Sequence, residues 1–372
     1  MTDSLLDALV DICGPGFARP ARSVDRIAGR QAAHVAVPAT ASAVADTLRL
    51  SDSFRVRGAG TKIDWGFPPA DLDLIVDTGR LNGLWDHNEA TAVVAAGTPV
   101  AAVQAALALR GQRLAVDPPS RGATIGGMLA VNESGPLRHR FGSPAAQTVS
   151  VDYVTASGAV ESSDGEGGRP GIAEIDGVLT SAVLRLEPLP PARRFVGRTV
   201  ETPAEVDELV SAVLAQDVSP SAIEVDLPGA TGGVLALLLE GHESEVAGSA
   251  DKIAGVWGGR SVVTSAAPSW WGQYPFQASS DVALRIAAQP RHLQAVAYSL
   301  RDAAGSAVAI RGSAGVGTVH AVLPSSLGVA RVREILVALE QVLLARRGKL
   351  AVVSAPPELA VELPMADRRG LF

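Results

Sequence analysis

The order of the secondary-structure elements predicted after residue 194 constrains this fold more than any other feature of the sequence. Apolar strand-like segments and helical segments follow one another as β-α-β-β-α-β from 195 to 264, and the same order returns from 282 to 353. Each of these two segments predicts a ferredoxin-like unit, so we expect one largely antiparallel sheet with helices on one face. The predicted strands are 195–200, 222–227, 234–240, 261–264, 282–287, 307–311, 318–323 and 349–353, and the predicted helices are 203–215, 243–256, 291–303 and 330–346.

The first half alternates strands with helices and ends at a proline-rich break. Strands are predicted at 34–37, 54–57, 72–76 and 91–95. Thr98 and Pro99 predict the start of a helix, because threonine caps free N–H groups and proline fits the first helical position. Three prolines within Glu187–Arg194 stop both helix and sheet. We therefore predict an α+β protein with two domains, 1–190 and 191–372.

Composition excludes several classes of protein. A hydrophobic fraction of 47% and a charged fraction of 19% supply sizeable cores and argue against disorder. The net charge of −7 leaves no basic footprint for nucleic acid. Cys13 is the only cysteine, so an intramolecular disulfide and a cysteine metal cluster are excluded, and no metal site is predicted.

The N-terminal segment predicts a short amphipathic helix rather than a signal peptide, because it carries acids and spaces its apolar residues at helical intervals. The longest apolar runs, such as Val234–Leu239, are far too short to cross a bilayer. We expect a cytoplasmic protein with no membrane span of its own.

A first glycine-rich loop follows the predicted strand 54–57, in the sequence Val-Arg-Gly-Ala-Gly-Thr-Lys of residues 56–62. Glycine lets the backbone come close to a ligand, and consecutive N–H groups in such a turn cradle an anion. Arg57 and Lys62 add positive charge on either side. A plain strand-ending turn is the alternative, since Lys62 and Ile63 stand where a dinucleotide fingerprint needs its last glycine.

A second glycine-rich segment, Pro118–Gly142, shows little regular pattern. Long irregular segments inside a compact domain are usually functional. Gly126 and Gly127 permit close packing on a flat ring or a phosphate, and Thr124 and Asn132 offer hydrogen bonds. The alternative is a polar surface loop, which the apolar character of the segment disfavours.

Together the two segments resemble the FAD-binding fold of the vanillyl-alcohol oxidase family, also called the PCMH type. Arg57–Thr61 matches its R-G-x-G-T loop, and Pro118–Gly135 matches its second loop. Gly58–Gly66 and Gly135–Gly142 are most similar to the E subunit of glycolate oxidase. The resemblance implies an FAD-binding domain followed by a cap domain, here the two βαββαβ units.

The resemblance also implies FAD as cofactor. Thr61 stands where relatives with covalently bound flavin have histidine, which implies noncovalent binding. The residues implied to bind the cofactor are Arg57, Gly58, Ala59, Gly60, Thr61, Lys62, Pro118, Ala123, Thr124, Gly126, Gly127, Ala130, Asn132, Gly135, Arg138 and Val178.

The function implied is that of an FAD-binding subunit in a glycolate-oxidase-like complex, an oxidoreductase that acts on the CH–OH group of a 2-hydroxy acid. The implied partners are a larger FAD-binding oxidase subunit and an iron–sulfur subunit, and any contact with the inner face of the membrane runs through them. The catalytic candidates are Arg285, which matches a family position, and His139. Arg311 and His320 are interpreted as a surface ion pair and a strand residue at a domain edge.

Two departures from the family keep an alternative open. Only Ala159–Asp176 separates Gly158 from Gly177, where relatives carry a long segment that lines the adenine, and the usual C-terminal tail is missing. The polar stretch Asp164–Gly168 replaces part of that segment. The alternative is a non-catalytic structural subunit that kept the fold and lost FAD. A stand-alone oxidase is a third and weaker hypothesis.

Overall fold

The computed structural model describes residues 4–164, 171–229, 232–278, 280–367 and 371. The chain divides into two compact units, and each is described by itself. The first unit comprises Met1–Glu133 and Ser143–Leu189, and the second comprises Ser134–Gly142 and Pro190–Leu371.

The two units depart from the predicted domains, 1–190 and 191–372, at residues 134–142 and at Pro190, which all belong to the second unit. The physical reason is apolar packing. Leu137 and Phe141 pack with Phe195 and Trp271, which all belong to that unit.

Among its described residues, the first unit contains four sheets, two of which have only two strands each, and four α-helices. The four-stranded sheet has the order β1-β4-β6-β5, and the five-stranded sheet has the order β11-β10-β12-β8-β7. β4 and β5 pair with β6 in parallel, whereas the second sheet is antiparallel throughout. The helices are α1 (Ser4–Cys13), α2 (Ala41–Leu48), α3 (Val100–Ala108) and α4 (Ile125–Val131), with 3-10 turns at Pro144–Gln147 and Ile172–Glu174. The strands are β1 (Ala18–Pro20), β2 (Arg26–Ile27), β3 (Arg30–Gln31), β4 (His34–Ala36), β5 (Phe54–Arg57), β6 (Leu74–Asp77), β7 (Leu84–His87), β8 (Thr91–Ala95), β9 (Gln112–Arg113), β10 (Thr148–Thr155), β11 (Val160–Ser163), β12 (Gly177–Arg185) and β13 (Glu187–Pro188).

The start of α3 corrects one prediction. The N-cap residue is Pro99, with extended backbone and no side-chain cap, and the helix begins at Val100. The Thr98 hydroxyl instead accepts a hydrogen bond from the Gly83 N–H at 2.9 Å. The Thr98 hydroxyl therefore binds a neighbouring segment and does not cap α3.

The second unit is built on one eight-stranded sheet with the order β17-β14-β16-β15-β19-β20-β18-β21, antiparallel at every described pairing. Its helices are α5 (Arg138–Phe141), α6 (Pro203–Leu214), α7 (Glu243–Trp257), α8 (Leu293–Ala304), α9 (Gly328–Leu344) and α10 (Pro357–Ala360), with 3-10 turns at Pro290–His292 and Ser325–Leu327. Its strands are β14 (Ala192–Val200), β15 (Ala222–Leu227), β16 (Gly233–Gly241), β17 (Ser261–Thr264), β18 (Val282–Ala287), β19 (Ala309–Ser313), β20 (Thr318–Leu323) and β21 (Lys349–Ser354).

The predicted pair of βαββαβ units is confirmed. β14 to β17 with α6 and α7 form one unit, β18 to β21 with α8 and α9 form the other, and the β15–β19 pairing joins them. The four long helices and one face of the sheet share a single core. On α6, for example, Val206, Val210 and Val213 are buried at helical spacing, and each such burial stabilises the fold by about 1.5–3 kcal/mol.

Thr202 and Glu205 stand at the positions of a capping box at the start of α6, but only the threonine makes the bond of that motif. Thr202 Oγ1 accepts the Glu205 N–H, while Glu205 Oε2 accepts the Glu201 N–H. Of the helices that the structure describes, none combines the length and apolar character needed to cross a membrane.

Candidate functional site

The first glycine-rich loop leaves the end of β5 and turns at once. Gly60 has a φ of +73°, a left-handed conformation that glycine adopts without strain. The backbone N–H groups of residues 58–61 have no hydrogen-bond acceptor within the part of the chain that the structure describes. Consecutive free N–H groups in a turn suit an anion such as a phosphate. The loop backbone is therefore a candidate phosphate cradle.

The two glycine-rich loops lie against each other. A Cβ added at Gly58 would lie only 2.3 Å from Thr124 Oγ1, so only glycine fits here. Lys62 Nζ donates a hydrogen bond to Ser120 Oγ at 2.5 Å. The structure therefore brings together two segments that are about sixty residues apart in sequence, as the resemblance implies for a cofactor site.

A buried ion pair fixes the far end of the first loop. Lys62 pairs with Glu133, and their side chains are 6% and 0% exposed. Glu133 Oε1 also accepts the Ser120 N–H at 3.1 Å. Burial lowers the pKa of Lys62, although the charge of Glu133 opposes this effect. Glu133 was not among the predicted site residues. It is the only acid within 118–142, and a single acid in a glycine-rich segment was the sequence feature that could have pointed to it.

Arg57 holds the loop from the other side through two carboxylates. Its guanidinium donates to Asp25 and to Asp77, each at 2.9 Å. Burial lowers the pKa of Arg57, but these hydrogen bonds outweigh it and leave the pKa raised. The side chain therefore anchors β5 and the loop, and neither carboxylate was predicted.

The paired glycines of the second loop have different surroundings. A Cβ at Gly126 would lie 2.8 Å from the Ala96 Cβ, and the Gly126 N–H donates to the Ala96 carbonyl at 2.7 Å. Gly127 is exposed, and its N–H donates to Thr124 Oγ1, which caps α4. Gly126 thus packs the start of α4 against Ala96, directly after β8. Gly127 adds no side chain to the exposed surface of α4.

The other predicted cofactor residues of the first unit have structural contacts. The Asn132 side chain accepts the Ala145 N–H at 3.0 Å, and buried Ala123 accepts the Val100 N–H at 2.9 Å. Pro118 and Ala130 are partly buried. Val178 is fully buried on β12 opposite Val154. In the shortened segment, residues 165–170 lie outside the described residues.

Three predicted residues, Gly135, Arg138 and His139, lie in the second unit. His139 packs on Gly315, where an added Cβ would lie 2.5 Å from His139 Nδ1. Burial lowers the pKa of His139, while a hydrogen bond with the Gly315 backbone opposes the change. The contact with Gly315 therefore fixes the position of the His139 imidazole.

A row of polar residues crosses the sheet of the second unit on the face without the long helices. Asp226 lies opposite Arg311, Arg311 opposite His320, and His320 opposite Arg285, each on adjacent strands. Arg311 donates to Asp226 at 2.8 Å. From the sequence, Arg285, Arg311 and His320 are considered one by one, but their alignment in a row depends on the register of four separate strands.

Aromatic side chains pack on this row. Tyr274 contacts His320 edge-on with ring centroids 4.9 Å apart, and Phe276 stacks on Tyr274 at 5.1 Å. Trp271 packs separately on Phe195 at 5.1 Å. Tyr274 therefore belongs to the surroundings of the polar row rather than to the apolar core.

The loops of the first unit fit the expected FAD. The free N–H groups of residues 58–61 are donors of the kind that a pyrophosphate accepts. The close approach of Gly58 to Thr124 fixes this loop against α4. Among the described residues, no group of three or more His, Cys, Asp or Glu side chains is arranged to hold a metal ion.

Comparison with known proteins agrees with this geometry. Residues 32–164 match the family model of the FAD binding domain. An uncharacterized oxidoreductase, ORF5 in the fasciation locus of Rhodococcoides fascians, is 32% identical over 163 residues, which cover 41% of this chain and 37% of that protein. The alkyldihydroxyacetonephosphate synthase of Dictyostelium discoideum is 28% identical over 189 residues, which cover 47% of this chain and 31% of that protein. The matched segments therefore span less than two fifths of either relative.

Solved structures show the same fold over nearly the whole chain. An alkyldihydroxyacetonephosphate synthase superposes with a TM-score of 0.72 at 15% identity, covering 94% of this chain and 80% of that chain. p-Cresol methylhydroxylase with substrate bound gives a TM-score of 0.70 at 14% identity, covering 95% and 89%. This chain therefore has the vanillyl-alcohol-oxidase or PCMH-type fold, it carries an FAD binding domain at residues 32–164, and its cofactor is FAD.

Proposed function

We propose that this chain is the FAD-binding subunit of a complex that resembles glycolate oxidase and oxidises a 2-hydroxy acid such as glycolate. The observation that carries the proposal is the contact between the two glycine-rich loops, with the N–H groups of residues 58–61 left free. The similar proteins include an alkyldihydroxyacetonephosphate synthase and p-cresol methylhydroxylase, whose names give other substrates. The choice of a 2-hydroxy acid therefore rests on the likeness of Gly58–Gly66 and Gly135–Gly142 to the E subunit.

The residues of the first unit would hold the cofactor by their backbone. Bound FAD supplies the acceptor for two electrons from the alcohol carbon. Residues 58–61 would donate N–H groups to its pyrophosphate, and the Lys62–Glu133 pair would keep that loop in place. Thr61 has no ring nitrogen to attach a flavin, so we propose noncovalent binding.

Electron transfer out of the flavin requires a partner in this proposal. Cys13 is the only cysteine and is buried, so a four-cysteine iron–sulfur cluster has to come from another subunit. We propose a larger FAD-binding oxidase subunit and an iron–sulfur subunit as partners. The proposed location is the cytoplasm, with contact to the inner membrane face through those partners.

The proposal is tested by the visible spectrum of the full-length chain, purified alone and with its partner subunits and reconstituted with FAD. We expect absorbance near about 450 nm, release of the flavin on acid precipitation, and bleaching by glycolate when the partners are present. Failure to retain FAD in every preparation would instead favour the structural-subunit alternative, which the shortened segment 159–176 motivates. Retained FAD that no 2-hydroxy acid reduces would reject the substrate class alone.

A further inference from the structure

The segment Asp25–Gln31, which contains β2 and β3 and is called the β2–β3 hairpin below, contacts the first glycine-rich loop on both sides of the candidate phosphate cradle. Before the cradle, Arg57 Nη1 donates a hydrogen bond to Asp25 Oδ1 at 2.9 Å. After the cradle, the Ala28 N–H donates to Asp64 Oδ1 at 2.7 Å. The cradle therefore lies, in sequence, between two hydrogen bonds to one hairpin of the same unit.

An apolar contact adds to these two hydrogen bonds. Ile27 of β2 is buried in a small apolar cluster, and Ile63 of the loop packs against that cluster. Ile63 directly precedes Asp64, and its N–H donates to the Gly60 carbonyl at 3.2 Å. The residue that packs on the hairpin is therefore bonded to the turn of the cradle, so a displaced hairpin would also displace the cradle backbone.

The turn of the hairpin contains an unusual residue. Ala28 has a φ of +47° and Gly29 a φ of +83°, and the tightest hairpin turns require positive φ at both central positions. Alanine rarely adopts this conformation, and a residue held in it depends on the contacts around it. The hydrogen bond from the Ala28 N–H to Asp64 is such a contact. Asp64 therefore stabilises the turn, and the turn in return fixes the Asp64 side chain.

The beginning of the hairpin is anchored independently of the loop. Asp25 accepts hydrogen bonds from the Arg19 guanidinium at 2.6 Å and from the Arg22 N–H at 2.8 Å. The Asp25 carbonyl accepts the Ala32 N–H at 3.1 Å, and its side chain is buried. The hairpin is therefore a fixed support against which the loop is held.

We propose that Asp64 and the β2–β3 hairpin position the candidate phosphate cradle for the pyrophosphate of FAD. Asp64 is a positioning residue in this proposal and not a ligand, because a carboxylate repels a phosphate. The inference rests on the proposed placement of the pyrophosphate at residues 58–61 and is independent of the substrate. Asp64 lies within Gly58–Gly66, the segment most similar to the E subunit.

The first test measures the FAD affinity of the full-length chain by quenching of flavin fluorescence. Asp64→Ala removes the acceptor of the Ala28 N–H, whereas Asp64→Asn keeps an oxygen acceptor and removes only the charge. Asp46→Ala, at an exposed pair with Arg49, is the matched control. We expect Asp64→Ala to bind FAD at least about tenfold more weakly than the wild type. Asp64→Asn and Asp46→Ala should bind within about twofold of the wild type, because both retain the hydrogen bond to the hairpin.

Hydrogen–deuterium exchange of the same proteins without FAD provides the second measurement. The N–H groups of Ile63 and Trp65 donate to carbonyls within the loop at 3.2 Å, so a peptide that contains both reports on the order of the loop. We expect Asp64→Ala to accelerate exchange in this peptide at least about tenfold and to leave peptides from β10 and β12 unchanged. A residue that acts only on overall stability would accelerate exchange in all of these peptides.

The possible outcomes separate the hairpin from the FAD site. If Gly58→Ala weakens FAD binding and Asp64→Ala does not, the positioning role is overturned and the FAD site stands. Equal weakening by Asp64→Asn and Asp64→Ala would also overturn the positioning role. Asp64→Ser, whose hydroxyl is one bond shorter than the carboxylate, replaces Asp64→Ala if that variant does not fold.

A wild type that retains no FAD would reject the proposed function, and the exchange measurement would then decide on the hairpin. Faster exchange in the loop peptide alone would uphold the hairpin as the support of the cradle. Unchanged exchange in Asp64→Ala would overturn it.

Discussion

Lys62 and Glu133 form an ion pair whose two side chains are almost completely shielded from solvent, at 6% and 0% exposure. The pair joins the loop after β5 to the end of α4. Both groups lose hydration, so each depends on the other for its charge balance. This relationship fixes the conformation of the candidate FAD loop from within the first unit.

Removal of one partner of this pair is expected to destabilise the protein strongly. Glu133→Gln leaves the Lys62 ammonium buried without a counter-charge, which costs about 3–5 kcal/mol. Denaturant unfolding of the full-length protein measures the loss. Glu334→Gln, which breaks the exposed Arg331–Glu334 pair, should change the free energy of unfolding by no more than about 1 kcal/mol. Equal effects of the two substitutions would contradict the buried pair.

The depressed pKa of Asp25 predicts that the protein loses stability in acid. Hydrogen bonds from Arg19 hold the pKa of this carboxyl well below its usual range, against the opposing effect of burial, with the Arg22 N–H and Arg57 helping. Because the folded-state pKa is depressed, the stabilisation is fully present above the unfolded pKa of about 4 and is lost as pH falls below it. Asp25→Asn should therefore cost about 2 kcal/mol at neutral pH and progressively less below about pH 4.

Unfolding midpoints at several pH values check the Asp25 prediction. Asp46→Asn, at an exposed pair with Arg49, serves as the control and should show little difference from the wild type at any pH. A stability difference for Asp25→Asn that stays constant through acid pH would show that the ionised carboxylate contributes nothing.

Gly126 and Gly127 should respond differently to alanine. At Gly126 the new methyl group would lie 2.8 Å from the Ala96 Cβ and 3.0 Å from its carbonyl oxygen, so overpacking should destabilise the protein by about 1–3 kcal/mol. At Gly127 the close atom is the Thr124 hydroxyl, and the residue is exposed. Gly127→Ala should change the free energy of unfolding by less than about 1 kcal/mol. Thermal unfolding of both variants measures these two changes in stability. A larger loss for Gly127→Ala than for Gly126→Ala would contradict the packing of α4 on β8.

Local sequence patterns predict the strands well where a short apolar run is bounded by polar or turn-forming residues. Six strands have the predicted bounds: 54–57, 91–95, 222–227, 261–264, 282–287 and 318–323. The first glycine loop is likewise visible in sequence, because glycines after an apolar strand are a local signal. Such patterns record which face of an element is buried, and that is a property of neighbouring residues.

Contacts between distant residues could not be predicted in the same way. The hydroxyl of Thr98 is used by Gly83 rather than by α3, and Lys62 finds Glu133 across the second loop. Residues 134–142 join the second unit because Leu137 and Phe141 pack there. Each outcome depends on which segments meet after folding, and no spacing within the chain encodes it.

The most direct test of the account is the FAD affinity of the full-length chain, measured by quenching of flavin fluorescence on titration. Gly58→Ala places a methyl group 2.3 Å from Thr124 Oγ1 and should weaken FAD binding at least about tenfold. Gly255→Ala, in α7 with no atom within 4 Å of the added Cβ, is the matched control and should bind as the wild type does. Far-UV circular dichroism confirms that each variant is folded. The assignment of these loops as the FAD site would be contradicted if the wild type did not bind FAD. It would also be contradicted if Gly58→Ala bound FAD as tightly as the wild type does.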